Sequence, residues 1–188
     1  IRIDDEYISY TGRTDNGGRN DKGAWHLETL NLRNPDGALS SKAVWRNDGA
    51  GRHQTRLDFE LTASDVGKLL NRLGYVDAIR RGTAKLAGNM QWNGPLTGID
   101  YPSLTGEMTV SAENGQFNKL EPGVGRLLGL LSLQSLSRRL TLDFRDIFSE
   151  GLAFDSIEGS TVVTAGVMRT AGPLRISSPA AQIEIQGE

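Results

Sequence analysis

The chain has 188 residues, 37% of them hydrophobic and 23% charged, a composition typical of a folded globular protein. A formal net charge of -2 provides no basic surface for nucleic acid or for an anionic membrane, and the absence of cysteine excludes disulfides and thiolate metal sites. The 23 glycines and the many Asn-Gly and Asp-Gly pairs indicate tight reversals between antiparallel strands.

The chain begins at Ile1 without a charged and apolar leader, and no apolar run approaches the roughly 18 to 20 residues that span a bilayer. We therefore expect a fragment of a longer protein.

Alternation of apolar and polar residues recurs along the chain and predicts half-buried strands. Within each strand the apolar residues share one face, and the opposite face is polar. These rows are Leu57, Phe59, Leu61; Leu86, Met90, Trp92; Leu104, Met108, Val110; Leu140, Leu142, Phe144; and Ile183, Ile185. In the first 50 residues the pattern is weaker and changes phase near Glu28.

Turn signals separate the strands and predict hairpins, because Asn and Gly adopt the positive φ angles that such turns need. They are TDNGGRNDKG at 14–23, NPDG at 34–37, NDGAG at 47–51 and ENGQ at 113–116. The turn spacing predicts a sheet of about ten antiparallel strands. With the two helices and the repeat described below, the predicted fold is mainly β (α+β), in two repeats with one α-helix each.

Two segments have helical rather than strand periodicity. In SDVGKLLNRLG, Ser64 or Asp65 caps the helix, the apolar residues fall on one side, and Gly74 ends it. The second segment, VGRLLGLLSLQSLSRR at 124–139, is apolar on nearly all sides. Its apolar residues include Val124, Leu127, Leu128, Leu130, Leu131 and Leu133.

These two helices are related by an offset of 58 residues, with seven of sixteen aligned positions identical, including Gly67 with Gly125. We interpret this as an internal repeat, with units at 1–80 and 81–160 and a C-terminal strand segment at 161–188. The polar face of the first helix has become apolar in the second. Three interpretations of the second helix stay open: burial in a core, a plug or lining of an apolar groove, and contact with a membrane.

Candidate catalytic and metal-binding residues do not form a recognisable constellation. His26 and His53 lack companion ligands, so no metal or other cofactor is predicted. Acidic residues that a hydrolase would need are present, but no two of them form a recognisable catalytic pair. We interpret the three tryptophans as part of a core or groove lining rather than as a carbohydrate-binding surface. The acidic residues considered are Asp4, Asp5, Glu6, Asp143 and Asp146. We expect no enzymatic activity.

Residues 114–160 carry long and specific motifs: KLEPGVGRLLGLLSLQSL, RRLTLDFRDIFSEG and FDSIEG. The chain then ends in SPAAQIEIQGE, and upstream it contains GTAKLAGNMQWNGPL and SLTGEMTVSAENGQF. Together these segments resemble the AsmA-like C-terminal region of the YhdP family of Gram-negative envelope proteins. The resemblance covers residues 55–188 well and the first 50 poorly.

The resemblance implies a large, non-catalytic protein, anchored in the inner membrane and reaching through the periplasm towards the outer membrane. It implies repeating β-groove units, in which strongly curved antiparallel sheets form an apolar trough that carries phospholipid acyl chains between the two membranes. The apolar rows above would line that groove. The alternative is a structural or protein-interaction β module of the envelope, whose apolar faces close on each other.

Overall fold

The computed structural model describes residues 2–3, 6–16, 23–47, 51–118, 151–179 and 181–187, with side chains from residue 23 onward. Eleven strands and one α-helix lie in these ranges. The strands are β1 (Arg2–Ile3), β2 (Glu6–Asn16), β3 (Gly23–Asn34), β4 (Gly37–Asn47), β5 (His53–Ala63), β6 (Ile79–Asn93), β7 (Thr105–Phe117), β8 (Leu152–Thr164), β9 (Val167–Thr170), β10 (Leu174–Ser177) and β11 (Gln182–Ile185). The helix is α1 (Val66–Arg72), and a 3-10 turn occupies Tyr101–Ser103.

The described strands form a single open antiparallel sheet. From β1 to β8 each strand pairs with its neighbour in the chain, and β8 then carries both β9 and β10 along its other edge, with β11 beyond β10. The prediction of a mainly β, antiparallel fold is confirmed, with eleven described strands rather than about ten.

Three of the predicted turns lie between strands, and one does not. The segments 14–23, 34–37 and 47–51 connect β2–β3, β3–β4 and β4–β5, as predicted. The prediction at 113–116 was wrong, because β7 runs through this segment to Phe117. Asn114 does adopt a positive φ of 55°. It lies opposite Gly82, whose φ is 82°. At these two residues the alternation of side chains between the two faces of the sheet shifts by one residue, and the chain does not reverse.

This change of phase extends across three strands. Gly82 of β6, Asn114 of β7 and Asp155 of β8 lie side by side, and none of them is a paired residue in the strand register. We call these three residues the phase-switch line. On β8 the buried positions are even-numbered before this line and odd-numbered after it. Because all three strands shift together, the apolar side chains stay on one face of the sheet on both sides of the line.

A second irregularity explains the phase change near Glu28. The register between β3 and β4 shifts between Leu27 and Leu30, and β2 shifts at Thr11 and Gly12. This β-bulge leaves Leu27 and Leu30 facing the same side of the sheet although their spacing is odd.

The helix α1 forms where it was predicted. Asp65 is the N-cap, and its side chain accepts a hydrogen bond from the Lys68 backbone N–H at 3.0 Å. Gly74 follows the helix with a φ of 89°, which suits a glycine at this position. Val66 and Leu69 are buried against Ala63 of β5, so the apolar side of the helix packs on the sheet.

Candidate functional site

The apolar face of the sheet is the candidate site, and it begins on the central strands. The register pairs Leu57 with Met90, Leu61 with Leu86, and Leu86 in turn with Val110. The side chains predicted to line a groove on β5, β6 and β7 therefore share one face. They are Leu57, Phe59, Leu61, Leu86, Met90, Trp92, Met108 and Val110.

The same face continues to the C-terminal edge. Ile157 of β8 pairs with Ile176 of β10, and Ile176 pairs with Ile183 of β11. Ile183 and Ile185 pack against the buried cluster that contains Ile157 and Ile176. The two predicted residues of the last strand thus join the apolar face of the central strands.

Leu104 differs from its predicted position, because β7 begins one residue later, at Thr105. The 3-10 turn Tyr101–Ser103 ends at Leu104, which places this residue outside the strand. Its side chain still packs against the cluster of Met90, Trp92 and Val163, and so it contributes to the same apolar face.

Most of this face is half-buried. Leu57, Phe59, Leu61, Leu86, Met108, Val110, Ile183 and Ile185 all have intermediate exposure. Met90 and Trp92 are 8% and 2% exposed, covered by Leu96, Leu104 and Met168. Within the described part of the chain, no second sheet packs on this face.

One end of the face is closed by α1. Val66 and Leu69 pack over Ala63, and Leu61 and Ala84 pack at the edge of this cluster. Gly67 lies directly against β6, since a Cβ there would be 2.6 Å from the Ile79 carbonyl oxygen. The helix therefore covers the sheet where the small residues Ala63 of β5 and Ala84 of β6 lie next to each other.

The opposite end carries a feature that the sequence patterns did not reveal. Trp25 pairs with Trp45, Trp45 with Thr55, and Thr55 with Trp92. We call these four residues the tryptophan rung, and it holds all three tryptophans of the chain. The bulge at Glu28 concealed it, because the register that aligns Trp25 with the later strands depends on that bulge.

The segment after β6 folds back over the tryptophan rung. Thr55 is fully buried, and its Oγ1 donates a 2.8 Å hydrogen bond to the Gly94 carbonyl oxygen. Trp92 Nε1 donates a 3.0 Å hydrogen bond to the Pro95 carbonyl oxygen. The loop thus satisfies two of the polar groups that the rung buries.

The face also includes four leucines of β3 and β4 that were not predicted. Leu27 pairs with Ala43, Leu30 with Ser41, and Leu32 with Leu39. The bulge adds one residue between Leu27 and Leu30, so the alternation of apolar and polar residues in β3 is interrupted in the sequence.

Other chemistry has no support among the described residues. No group of three or more histidines and acidic residues there could hold a metal ion. His53 begins the apolar row of β5, whereas His26 lies between Trp25 and Leu27 and so points to the other face of the sheet. No described helix has the length and hydropathy needed to cross a membrane.

Several predicted residues lie outside the described residues. They are the apolar helix (Val124, Leu127, Leu128, Leu130, Leu131, Leu133), the row Leu140, Leu142, Phe144, and the side chains of Asp4, Asp5, Glu6, Asp143 and Asp146. The second copy of the proposed repeat falls in this region, and the division into repeat units stays a prediction.

The fold and site define a class of protein: a single open antiparallel sheet with one continuous apolar face, closed at one end by a short helix. Comparison with known proteins identifies the family. The model of the YhdP protein family matches residues 5–188, so this chain belongs to the YhdP family. The match includes most of the N-terminal 50 residues, where the sequence motifs alone were weak.

A curated relative is the "Intermembrane phospholipid transporter YhdP" of Escherichia coli (strain K12), which is 30% identical over 133 residues. The aligned region covers 70% of this chain and 10% of the relative, so the chain spans only a small part of that protein's length. No solved structure is significantly similar to this chain.

Proposed function

We propose that this chain is a non-catalytic segment of a bridge-like protein that conducts phospholipid between the inner and outer membranes along a curved hydrophobic β-groove. The observation that carries the proposal is the continuous, half-buried apolar face that runs from β3 to β11. Membership in the YhdP family and the name of the Escherichia coli relative support the lipid and the envelope setting.

An apolar face of this kind suits transport because it holds acyl chains without fixing them at one point. Each methylene removed from water contributes about 0.8 kcal/mol, so a whole chain is strongly retained against escape into water. Movement along similar leucine and methionine side chains changes little of that contact. Such a surface needs no catalytic group.

The setting and organisation follow from the same proposal. The segment would lie in the periplasm, within a protein anchored in the inner membrane and reaching towards the outer membrane. The repeat units 1–80 and 81–160, followed by 161–188, would extend the groove. Residues 124–136 would plug or line it, meet a membrane, or pack in a core.

Photo-crosslinking tests whether lipid occupies the face. A photoreactive amino acid at Phe59 or Met108, both half-buried on the apolar face, should crosslink to phospholipid in lipid-producing cells. The same amino acid at Thr109, exposed on the opposite face, is the matched control and should not. Crosslinks from Phe59 and Met108 to protein alone would contradict the proposal and favour the closed structural module.

Substitution tests whether the face conducts lipid. Val110→Arg places a charge on the apolar face, whereas Thr109→Arg places the same charge on the solvated face. We expect lipid transfer between vesicles or membranes to fall at least tenfold for Val110→Arg and to stay unchanged for Thr109→Arg, at similar melting temperatures. Full transfer by a folded Val110→Arg variant would argue against an apolar path.

A further inference from the structure

We propose that the tryptophan-rung end of the apolar face is a binding site for the phosphate-bearing headgroup of a glycerophospholipid, with the acyl chains directed towards α1. This inference rests on the proposed function, because it assumes that a lipid occupies the face. It adds a fixed orientation for that lipid and a polar site built around His53.

The residues on the apolar face change from polar to apolar along the direction of the strands. On β5, the residues that share this face change from His53 and Thr55 at one end to Leu57, Phe59 and Leu61. The row ends at Ala63, which α1 covers. On β5, the polar residues that share this face therefore lie at the His53 end.

The length of the apolar row fits acyl chains. From Leu57 to Leu61 the strand extends about 14 Å, at about 3.4 Å per residue. This is close to half of the roughly 30 Å hydrocarbon thickness of a bilayer, which is the depth of one leaflet. The Gly94–Pro95 segment covers Thr55 and Trp92, so a lipid with its tails against Leu57 and Leu61 would reach His53 over the half-buried ring of Trp45.

A cleft lies beside that position. It has a volume of about 810 Å³, and its lining is mixed: Arg52, His53, Asn93 and Asp100 are polar, Pro95 and Ile99 are apolar, and Gly51, Gly94 and Gly98 add backbone. Arg52, His53 and Asn93 supply the cationic and hydrogen-bonding side chains that bind phosphate. The Asp100 carboxylate, which accepts a hydrogen bond from Ser103, disfavours a second negative charge and so favours a phosphodiester over a phosphate monoester.

Two buried polar atoms at this end have no partner within the described part of the chain. They are Nε1 of Trp45 and Nδ1 of His53, whose rings stack with centroids 5.1 Å apart and an interplanar angle of 20°. Since Nδ1 is buried, Nε2 is the His53 nitrogen that can meet a ligand in the cleft.

The test compares lipids that differ only in the headgroup. Binding of phosphatidylethanolamine and of diacylglycerol with the same acyl chains is measured by native mass spectrometry for this chain and for two variants. His53→Phe keeps an aromatic ring against Trp45 and removes both nitrogens. His26→Phe, on the other face of the sheet, is the matched control.

We expect the unmodified chain and His26→Phe to prefer the phospholipid about tenfold, and His53→Phe to lose that preference without losing diacylglycerol. Equal preference in His53→Phe and the unmodified chain would overturn the headgroup site. Competition by inorganic phosphate, without acyl chains, would also overturn it in favour of a free-phosphate site. Failure to bind either lipid would instead overturn the proposed function.

A second measurement needs no variant. A spin label on the lipid headgroup should broaden the NMR signals of the His53 and Trp92 side chains, and a label at the acyl terminus should broaden those of Leu61 and Leu86. The reverse pattern, or no difference between the two labels, would overturn the proposed orientation.

Discussion

At the scale of single residues, Asp36 connects the first described hairpin turn to the helix. The residue is 7% exposed, and Oδ2 accepts a 2.6 Å hydrogen bond from Arg72 Nε at the end of α1. Its backbone carbonyl oxygen accepts hydrogen bonds from the N–H groups of Ser64 and Asp65, at the start of α1. One turn residue thus holds both ends of the helix over the closed end of the apolar face.

Asp65 makes the stability of this region dependent on pH. The hydrogen bond from the Lys68 backbone N–H lowers the pKa of the Asp65 carboxyl below its ordinary value of 3.8. Its stabilising contribution is therefore present above pH 4 and is lost as the pH falls through the lower, folded-state pKa.

Two substitutions separate capping from charge. We expect Asp65→Ala to lower the free energy of unfolding by about 1 kcal/mol at neutral pH, because the N-cap acceptor is lost. Asp65→Asn keeps an acceptor, so it should cost less and remove part of the decline in stability below pH 4. Chemical denaturation at pH 3 and pH 7 measures both effects, and identical pH profiles for Asp65→Asn and the unmodified chain would refute the assigned cause.

At the scale of elements, the position of α1 depends on a close approach to β6. Gly67 is buried, and a Cβ atom there would lie 2.6 Å from the Ile79 carbonyl oxygen and 3.1 Å from the Arg81 backbone nitrogen. Both neighbours are backbone atoms and cannot turn aside. The absence of a side chain at residue 67 therefore sets the distance between the helix and the sheet.

Gly67→Ala tests this contact against intrinsic helix propensity. In an isolated helix, alanine is favoured over glycine by about 1 kcal/mol, so propensity alone predicts stabilisation. We expect instead a loss of about 2 kcal/mol in the free energy of unfolding, because the methyl group forces α1 away from β6. The control is Gly172→Ala, where a Cβ would meet nothing within 4 Å. A stabilised Gly67→Ala variant would show that the helix is not held this closely.

At the scale of the whole molecule, the strand rows were predictable because alternation is a local property of a strand. The rows through Leu57 and Leu86, and the helix with its Asp65 cap, follow from residues close together in the chain. The phase-switch line and the tryptophan rung do not, because each depends on the register between strands. Asn114 and Gly82, for example, have their effect together as neighbours on adjacent strands.

The single-sheet topology predicts how backbone protection varies across the molecule. From Ala84 to Gln91, β6 pairs with β5 on one side and β7 on the other, whereas β11 pairs only with β10 among the described strands. We expect β6 amides to exchange slowest with solvent and β11 amides to exchange much faster, measured by hydrogen exchange with mass spectrometry. Equal protection of β11 would mean that another segment covers this edge.

The order of the strands also bears on how the chain folds. Most strands can pair with their chain neighbour across a short turn, which is a rapid event for a hairpin. The pairing of β7 with β8 is different, because residues 118–151 separate the two strands. Bringing together strands that lie farther apart in the sequence costs more conformational entropy, although each doubling of the separation adds only about 0.6 kcal/mol. We therefore expect hairpins between strands close in sequence, such as β3–β4 and β10–β11, to form before β7 pairs with β8.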